Sequence, residues 1–159
     1  MRKHWLSAVV LVGLIATMVG AAADEKCLSA SPAEAKTMAL KAAAHLEKLG
    51  PRQAFGDFMD PDGRFFDRDL YVFVVDLDGN MWVNGAFPQA VGTNARAAED
   101  AKGRRYIEQM LRAALARGEG WVEYQWINPC TGEYTDKATY FTRVGPFIVA
   151  VGAYGSVTA

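Results

Sequence analysis

The chain has 159 residues, 51% of them hydrophobic, with 17 basic and 18 acidic side chains and a formal net charge of −1. That length supports one domain with a real core, and the balance of charge offers no basic surface for nucleic acid or an anionic membrane. Two cysteines far apart and two histidines leave no material for a His-based metal cluster or a Cys-x-x-Cys motif.

Arg2, Lys3 and His4 open the chain, residues 6–20 form a short apolar run, and Ala21-Ala22-Ala23 puts small residues before Asp24. This is the pattern of a secretory signal peptide over residues 1–23, followed by a single domain over 24–159. The run is shorter than the roughly 20 apolar residues that span a bilayer. Cleavage is expected, with membrane contact only if the leader is kept as an anchor. Without Arg2 and Lys3 the mature chain holds 15 basic and 18 acidic residues, a formal net charge of −3. Export to a secreted or periplasmic location places Cys27 and Cys130 in an oxidising compartment, where they are expected to form one disulfide. The alternatives are free thiols or pairing between chains. The bridge would close a loop of about 100 residues, worth up to ~4.7 kcal/mol by chain entropy.

Ser31-Pro32-Ala33-Glu34 is a capping box with proline at the first helical position. The spacing of Ala35, Met38, Ala42, Leu46 and Leu49 predicts a helix over 32–49 with one apolar face, stopped by Gly50-Pro51. His45 falls beside that face and reads as a helix-edge residue. A short helix is predicted over 51–58, then a turn at Asp60-Pro61-Asp62-Gly63. Residues 70–75, LYVFVV, are an almost unbroken run of β-formers, as in a strand covered on both faces. Asp76-Leu77-Asp78-Gly79-Asn80 turns the chain into Met81-Trp82-Val83-Asn84, completing a hairpin. Asp76, Asp78 and Asn80 do not read as calcium ligands: Gly79 comes too early for an EF-hand loop, and Phe87 stands where its closing Glu is required. Residues 85–103 read as a long loop, of the kind that often serves as a pocket lid. A helix over 104–117 follows, with Ile107, Met110, Leu111 and Ala114 inward and Tyr106 at its edge.

Residues 118–141 are the most informative stretch. Trp121-Val122-Glu123-Tyr124-Gln125-Trp126 is an aromatic strand, Asn128-Pro129-Cys130-Thr131-Gly132 is a turn, and the returning strand carries Lys137 and Tyr140. Alternation puts Val122, Tyr124 and Trp126 on one face and Trp121 on the other, and it separates Lys137 and Thr139 from Tyr140. Residues 147–154 supply a last buried strand. Helix, short helix, two strands, loop, helix and three strands make an α+β fold with an antiparallel sheet.

Catalytic material is scarce. There is no Gly-x-Ser-x-Gly and no Walker or Rossmann glycine loop. The mature serines Ser29, Ser31 and Ser156 lie near the ends, and the carboxylate pairs Asp60/Asp62 and Asp76/Asp78 sit in turns. Neither an enzyme nor a cofactor is expected. An aromatic cleft with one or two fixed polar groups is the usual form of a small-ligand pocket. Lys137 either points inward to meet a ligand carboxylate or is a solvated edge-strand lysine.

Several segments, in this order and spacing, resemble the core of a single Cache domain of the second type. They are Asp60-Pro61-Asp62-Gly63-Arg64-Phe65, the run 69–80, Val91-Gly92-Thr93-Asn94, the run 120–129, Thr131-Gly132, Lys137-Ala138-Thr139-Tyr140 and Val151-Gly152-Ala153-Tyr154. The resemblance implies a PAS-like Cache fold, with a long N-terminal helix packed on an antiparallel sheet and a ligand pocket on the other face. It implies an extracytoplasmic sensor module for a small organic acid such as acetate, lactate or pyruvate. Such a module acts in signal transduction or chemotaxis through a partner, a membrane receptor or a histidine kinase. Carried across, the pocket residues are Tyr71, Phe73, Tyr106, Met110, Tyr124, Trp126, Lys137 and Tyr140. Three features depart from the family pattern. No second membrane segment follows Tyr154, so a free periplasmic domain is expected. Asn84-Gly85 stands where many members have His-Pro, and the Cys27/Cys130 pair is foreign to the pattern. The competing reading is a structural or interaction protein that kept the fold without a ligand.

Overall fold

The computed structural model describes residues 28–157. α1 (Pro32–Leu49) starts at the expected capping box: Ser31 Oγ accepts from Glu34 N–H, and the Glu34 carboxylate accepts from Ser31 N–H at 2.8 Å. Gly50 takes a φ of 75° that few side chains tolerate, and α2 (Pro51–Met59) begins at once. The strands are β1 (Phe66–Asp67), β2 (Leu70–Asp76), β3 (Met81–Asn84), then, after α3 (Tyr106–Arg117), β4 (Glu119–Ile127), β5 (Tyr134–Val144) and β6 (Phe147–Tyr154). Every pairing is antiparallel. The sheet order is β1-β2-β6-β5-β4, and β3 also pairs β2.

The sheet has a layer on each face, which explains why β2 and β6 read as nearly unbroken apolar runs. On one face α1 and α2 pack against Val72, Val74, Val149, Val151 and Tyr140. The small buried side chains Ala35, Ala39, Ala42 and Ala43 let α1 lie close to the sheet. On the other face α3 covers Tyr71, Phe73, Val122, Tyr124, Phe141 and Ile148. The start of α1 is tied to the entry of β2, where Asp69 Oδ1 accepts from Ala30 N–H at 2.8 Å. His45 sits at the helix edge but is largely buried, with Nε2 2.6 Å from Asp57 Oδ2 and Nδ1 2.8 Å from Arg64 Nη2. Because the guanidinium only donates, Nδ1 accepts and the Nε2 proton goes to Asp57.

The α+β fold with an antiparallel sheet is the one the sequence indicated. The short β1 strand was not expected, and β4 and β5 run longer at both ends. One irregularity matters for the site. The β2–β3 register pairs Phe73 with Asn84, Val74 with Val83, then Val75 with Met81. Trp82 is the extra residue of this bulge. It is pushed outward, half exposed, while Met81 and Asn84 both turn to the α3 face. The turn before β3 uses the Asp76 carboxylate as an acceptor for the backbone N–H of Asp78 and Asn80, so this cluster is turn chemistry. The leader over 1–23 and Cys27 lie outside the described residues. Cys130 is partly buried in the β4–β5 turn, with its N–H on Asn128 Oδ1 at 2.8 Å.

The segment between β3 and α3 folds back over the sheet and is fixed at both ends. At one end Asn94 Nδ2 donates to Asp78 O and to Asn80 Oδ1. At the other, the buried Asp100 carboxylate accepts from Lys102 N–H, Arg104 N–H, Arg104 Nε–H and Gln125 N–H at 2.7–3.0 Å. α3 starts at Tyr106, and not at Arg104 as expected, because the Arg104 amide is held in this turn. Burial works against the Asp100 anion, but these four donors win and hold its pKa down at about 2. Its stabilisation is therefore complete above the ordinary aspartate range and is lost as pH falls through the folded value. Asp100→Asn is expected to lower the unfolding free energy at pH 7 by about 2 kcal/mol. The gap to wild type should narrow as pH falls from roughly 4 to about 2, read by urea denaturation at each pH.

Candidate functional site

A cavity of about 190 Å³ lies between the sheet and the α3 layer. At roughly 30 Å³ per water, it has room for a molecule of only a few non-hydrogen atoms. Its floor is Tyr71 and Phe73 from β2 with Tyr124 and Trp126 from β4. Met81 and Asn84 of β3 form one side. The roof is Tyr106 and Ile107 of α3, joined by the small side chains Ala90, Ala95 and Ala98 of the connecting segment. The rings brace one another. Tyr106 stacks on Tyr124 with centroids 4.2 Å apart, Trp126 leans on both, and Phe87 bridges Trp126 and Tyr71 at 5.9 Å each.

Lys137 stands directly opposite Tyr124 on β5 and opposite Tyr154 on β6, so all three face the α3 side. Its side chain is fully buried. It crosses Gly152, where a Cβ would collide with Lys137 Cε and Thr139 Oγ1. Beyond that glycine, Nζ donates to Tyr71 Oη at 2.8 Å and lies 4.0 Å from the Tyr71 ring centroid and 4.7 Å from that of Tyr154. The ammonium is thus one side chain behind the cavity wall, reached through the Tyr71 hydroxyl. Burial pushes its pKa down to about 7, opposed by the negative charge of Asp69. Burial also drives the Tyr71 hydroxyl well above its ordinary value, reinforced by Tyr154 and Tyr124. Asp69 is itself buried, and burial raises its carboxyl against the Ala30 hydrogen bond and the charge of Lys137. Thr139 Oγ1 donates to Tyr124 Oη at 3.0 Å, which fixes the neighbouring ring.

Of the residues singled out in the sequence, Tyr71, Phe73, Tyr106, Tyr124 and Trp126 come together on the cavity wall. Met110 is buried in the same cluster but lies under the wall. Tyr140 belongs elsewhere. Strand alternation puts it on the α1 face, where it packs on Trp121 at 5.2 Å, and its hydroxyl donates to Glu119 at 2.6 Å. Among the residues missed, Met81 and Asn84 reach the wall only through the Trp82 bulge, and the alanines of the roof carry no sequence signal. A larger cleft, about 1000 Å³, runs along α1 past Glu34, Lys41, Lys48 and Arg64. It is an open groove lined by both charged and apolar side chains, Met38, Leu49, Phe65 and Phe66 among them, and none of the cavity's converging aromatic residues faces it.

The depressed Lys137 pKa has a consequence for stability. The folded chain releases this proton near 7, whereas the unfolded chain keeps it to about 10.4. Stability from this group therefore rises with pH above 7 and is lowest where the ammonium is charged. Wild type should gain unfolding free energy between about pH 7 and pH 9, below the ordinary tyrosine range. Lys137→Met should show no such gain in urea denaturation; equal slopes in the two proteins would contradict the assignment.

The profile of the family described as single Cache domain 2 matches residues 7–156. Sensor histidine kinase MctS of Rhizobium johnstonii is 31% identical over 91 residues, which are 56% of this chain and 20% of that protein. The chain therefore spans about a fifth of the length of that curated relative. A methyl-accepting chemotaxis protein from Vibrio parahaemolyticus superposes with a TM-score of 0.68 at 19% identity, covering 77% of this chain and 86% of that one. A Cache chemosensory domain, solved for its recognition of carboxylic acid, gives 0.63 at 20% identity over 77% and 88%. The periplasmic sensor domain of a chemotaxis protein gives 0.60 at 21% over 78% and 90%. At these identities the likeness speaks to the fold, while the family match covers nearly all the described residues. The chain belongs to the single Cache domain 2 family, and it has the fold of chemoreceptor sensor domains.

Proposed function

We propose that this domain is the extracytoplasmic ligand-binding part of a sensing system. It takes a small organic acid in the cavity under α3 and passes the bound state to a membrane receptor or histidine kinase. The leader over 1–23 would carry it out of the cytoplasm, and a Cys27–Cys130 bridge would fasten its N-terminal arm. The observation that carries this reading is the ammonium of Lys137. It is fully buried, and among the described residues its hydrogen-bond partner is a neutral tyrosine hydroxyl, with no carboxylate in contact. A buried cation held in this way is costly unless an anion joins it. A carboxylate at this end of the cavity would meet Tyr71 Oη first, with the positive charge 2.8 Å behind it. The aromatic walls would then take a short alkyl part. Similarity to a domain solved with carboxylic acid recognition, and to a sensor histidine kinase, supports the same ligand class and kind of partner. The competing reading, a fold without a ligand, would favour a cavity plugged by its own tryptophans. Trp82 points outward instead, and Trp126 forms wall without filling the space.

A thermal-shift series of acetate, propionate and butyrate, with amines as controls, tests this. A bound acid at 100 times its Kd should add about 2.7 kcal/mol of stability. Lys137→Met and Tyr71→Phe should each abolish or strongly reduce the shift, and Tyr140→Phe should leave it unchanged. Stabilisation by none of the acids, or an unchanged shift in Lys137→Met, contradicts the proposal. Because the apo ammonium loses its proton near 7, binding above that pH requires proton uptake. Affinity should therefore be level below pH 7 and fall as pH rises, and calorimetry in buffers of different ionisation enthalpy should show the uptake directly.

A further inference from the structure

Asn84 is a polar side chain of the cavity wall that the carboxylate reading does not use. Its side chain is 5% exposed, lines the cavity and stands opposite Phe73 across the β2–β3 pair, on the α3 face. Its Oδ1 accepts from Phe87 N–H at 3.0 Å. That bond fixes the orientation of the amide, because a backbone N–H can meet only the oxygen. Nδ2 is therefore the free end. Among the described residues it has no hydrogen-bond partner, yet it is not sealed away from the cavity.

Most of the other polar side chains on the wall are engaged, while the Tyr106 hydroxyl and the Trp126 indole N–H have no hydrogen-bond partner among the described residues. Asn94 donates to Asp78 O and Asn80 Oδ1 and accepts from Arg96 N–H; Thr93 Oγ1 donates to Ala90 O at 2.7 Å. Tyr124 Oη accepts from Thr139, and Tyr71 Oη from Lys137. The Tyr106 hydroxyl lies in the field of Asp100 and Tyr134 at the far end of the connecting segment. A buried amide donor left without an acceptor is costly. Asn84 therefore calls for an acceptor from a cavity occupant.

Its position says where that acceptor would be. Tyr71 and Phe73 are two residues apart on one face of β2, roughly 7 Å along the strand. Asn84 faces Phe73 from the adjacent strand. The Asn84 backbone is thus one diagonal step from that of Tyr71, on the strand at the other side of β2 from β6. In a cavity of about 190 Å³, an acid bound at Tyr71 has only two or three carbons beyond its carboxylate. An additional oxygen on such a molecule stands close to the carboxylate.

We propose that Asn84 is a specificity-determining residue, donating from Nδ2 to an oxygen the ligand carries beside its carboxylate, so that the site prefers short 2-oxo or 2-hydroxy acids to plain alkanoates of the same length. This rests on the carboxylate being held at Tyr71 and Lys137. A site with a buried donor rejects the analogue that lacks the matching acceptor, because the donor then stays unpaired.

Calorimetry with pyruvate, lactate and propionate on the purified protein reads this directly. Wild type should bind pyruvate or lactate about tenfold more tightly than propionate. Asn84→Leu removes the donor at similar volume and should bring the ratio close to one, chiefly by weakening the oxygenated acid. Asn84→Asp keeps the acceptor for Phe87 N–H while removing the donor, so it should lose the preference too, whatever its added charge does to all acids alike. Equal wild-type affinities for the three acids, or a ratio unchanged in both variants, overturns the role of Asn84 while leaving the carboxylate site standing. Failure of every acid to bind wild type overturns both.

Discussion

Among the described residues, Lys137 carries its ammonium group into the protein without meeting a carboxylate, and the surrounding residues are arranged around that fact. Its stem needs a path across β6, which Gly152 provides because any side chain there would collide with it. Its head needs an acceptor, which the Tyr71 hydroxyl supplies from the strand beyond. The rings of Tyr71 and Tyr154 offer their faces to the charge. Asp69 lowers the cost from a distance. These arrangements leave the positive charge partly compensated, a state that suits the proposed binding of an anion.

The two-layered cover of the sheet is what makes such burial possible. α1 and α2 keep water from one face, and α3 with the segment after β3 keeps it from the other. The second cover is the less regular one. It is held at its ends by the Asn80–Asn94 contact and by the four donors on Asp100, and its middle contributes small side chains to the roof. Asp69 adds a physical connection between the two halves. One oxygen holds the backbone just before α1, and its charge acts on Lys137. The charged end of the site and the start of the long helix therefore share a residue.

Much of this was legible in the chain. The capping box of Ser31 and the alanine-rich stripe marked α1, and the unbroken run 70–75 indicated a strand covered on both faces. Alternation correctly assigned Val122, Tyr124 and Trp126 to one face and set Tyr140 apart from Lys137. The family resemblance implies a pocket role for Tyr140, whereas strand alternation puts it on the α1 face, where it lies. What could not be read was non-local. Whether Lys137 was an edge-strand lysine or a buried one depended on strand order, and β5 turns out to be internal, between β4 and β6. The wall formed by Met81 and Asn84 depends on the bulge at Trp82, which is set by packing on β2 and leaves no local pattern.

The proposed function depends on a carboxylate binding against Tyr71 and Lys137 in the cavity under α3. A crystal structure of the protein grown with propionate tests it most directly. The acid's carboxylate is expected within hydrogen-bond distance of Tyr71 Oη or Lys137 Nζ, with its alkyl end against Phe73 and Trp126. Propionate seated in the charged cleft along α1, or a ligand-free cavity at saturating acid, would contradict it.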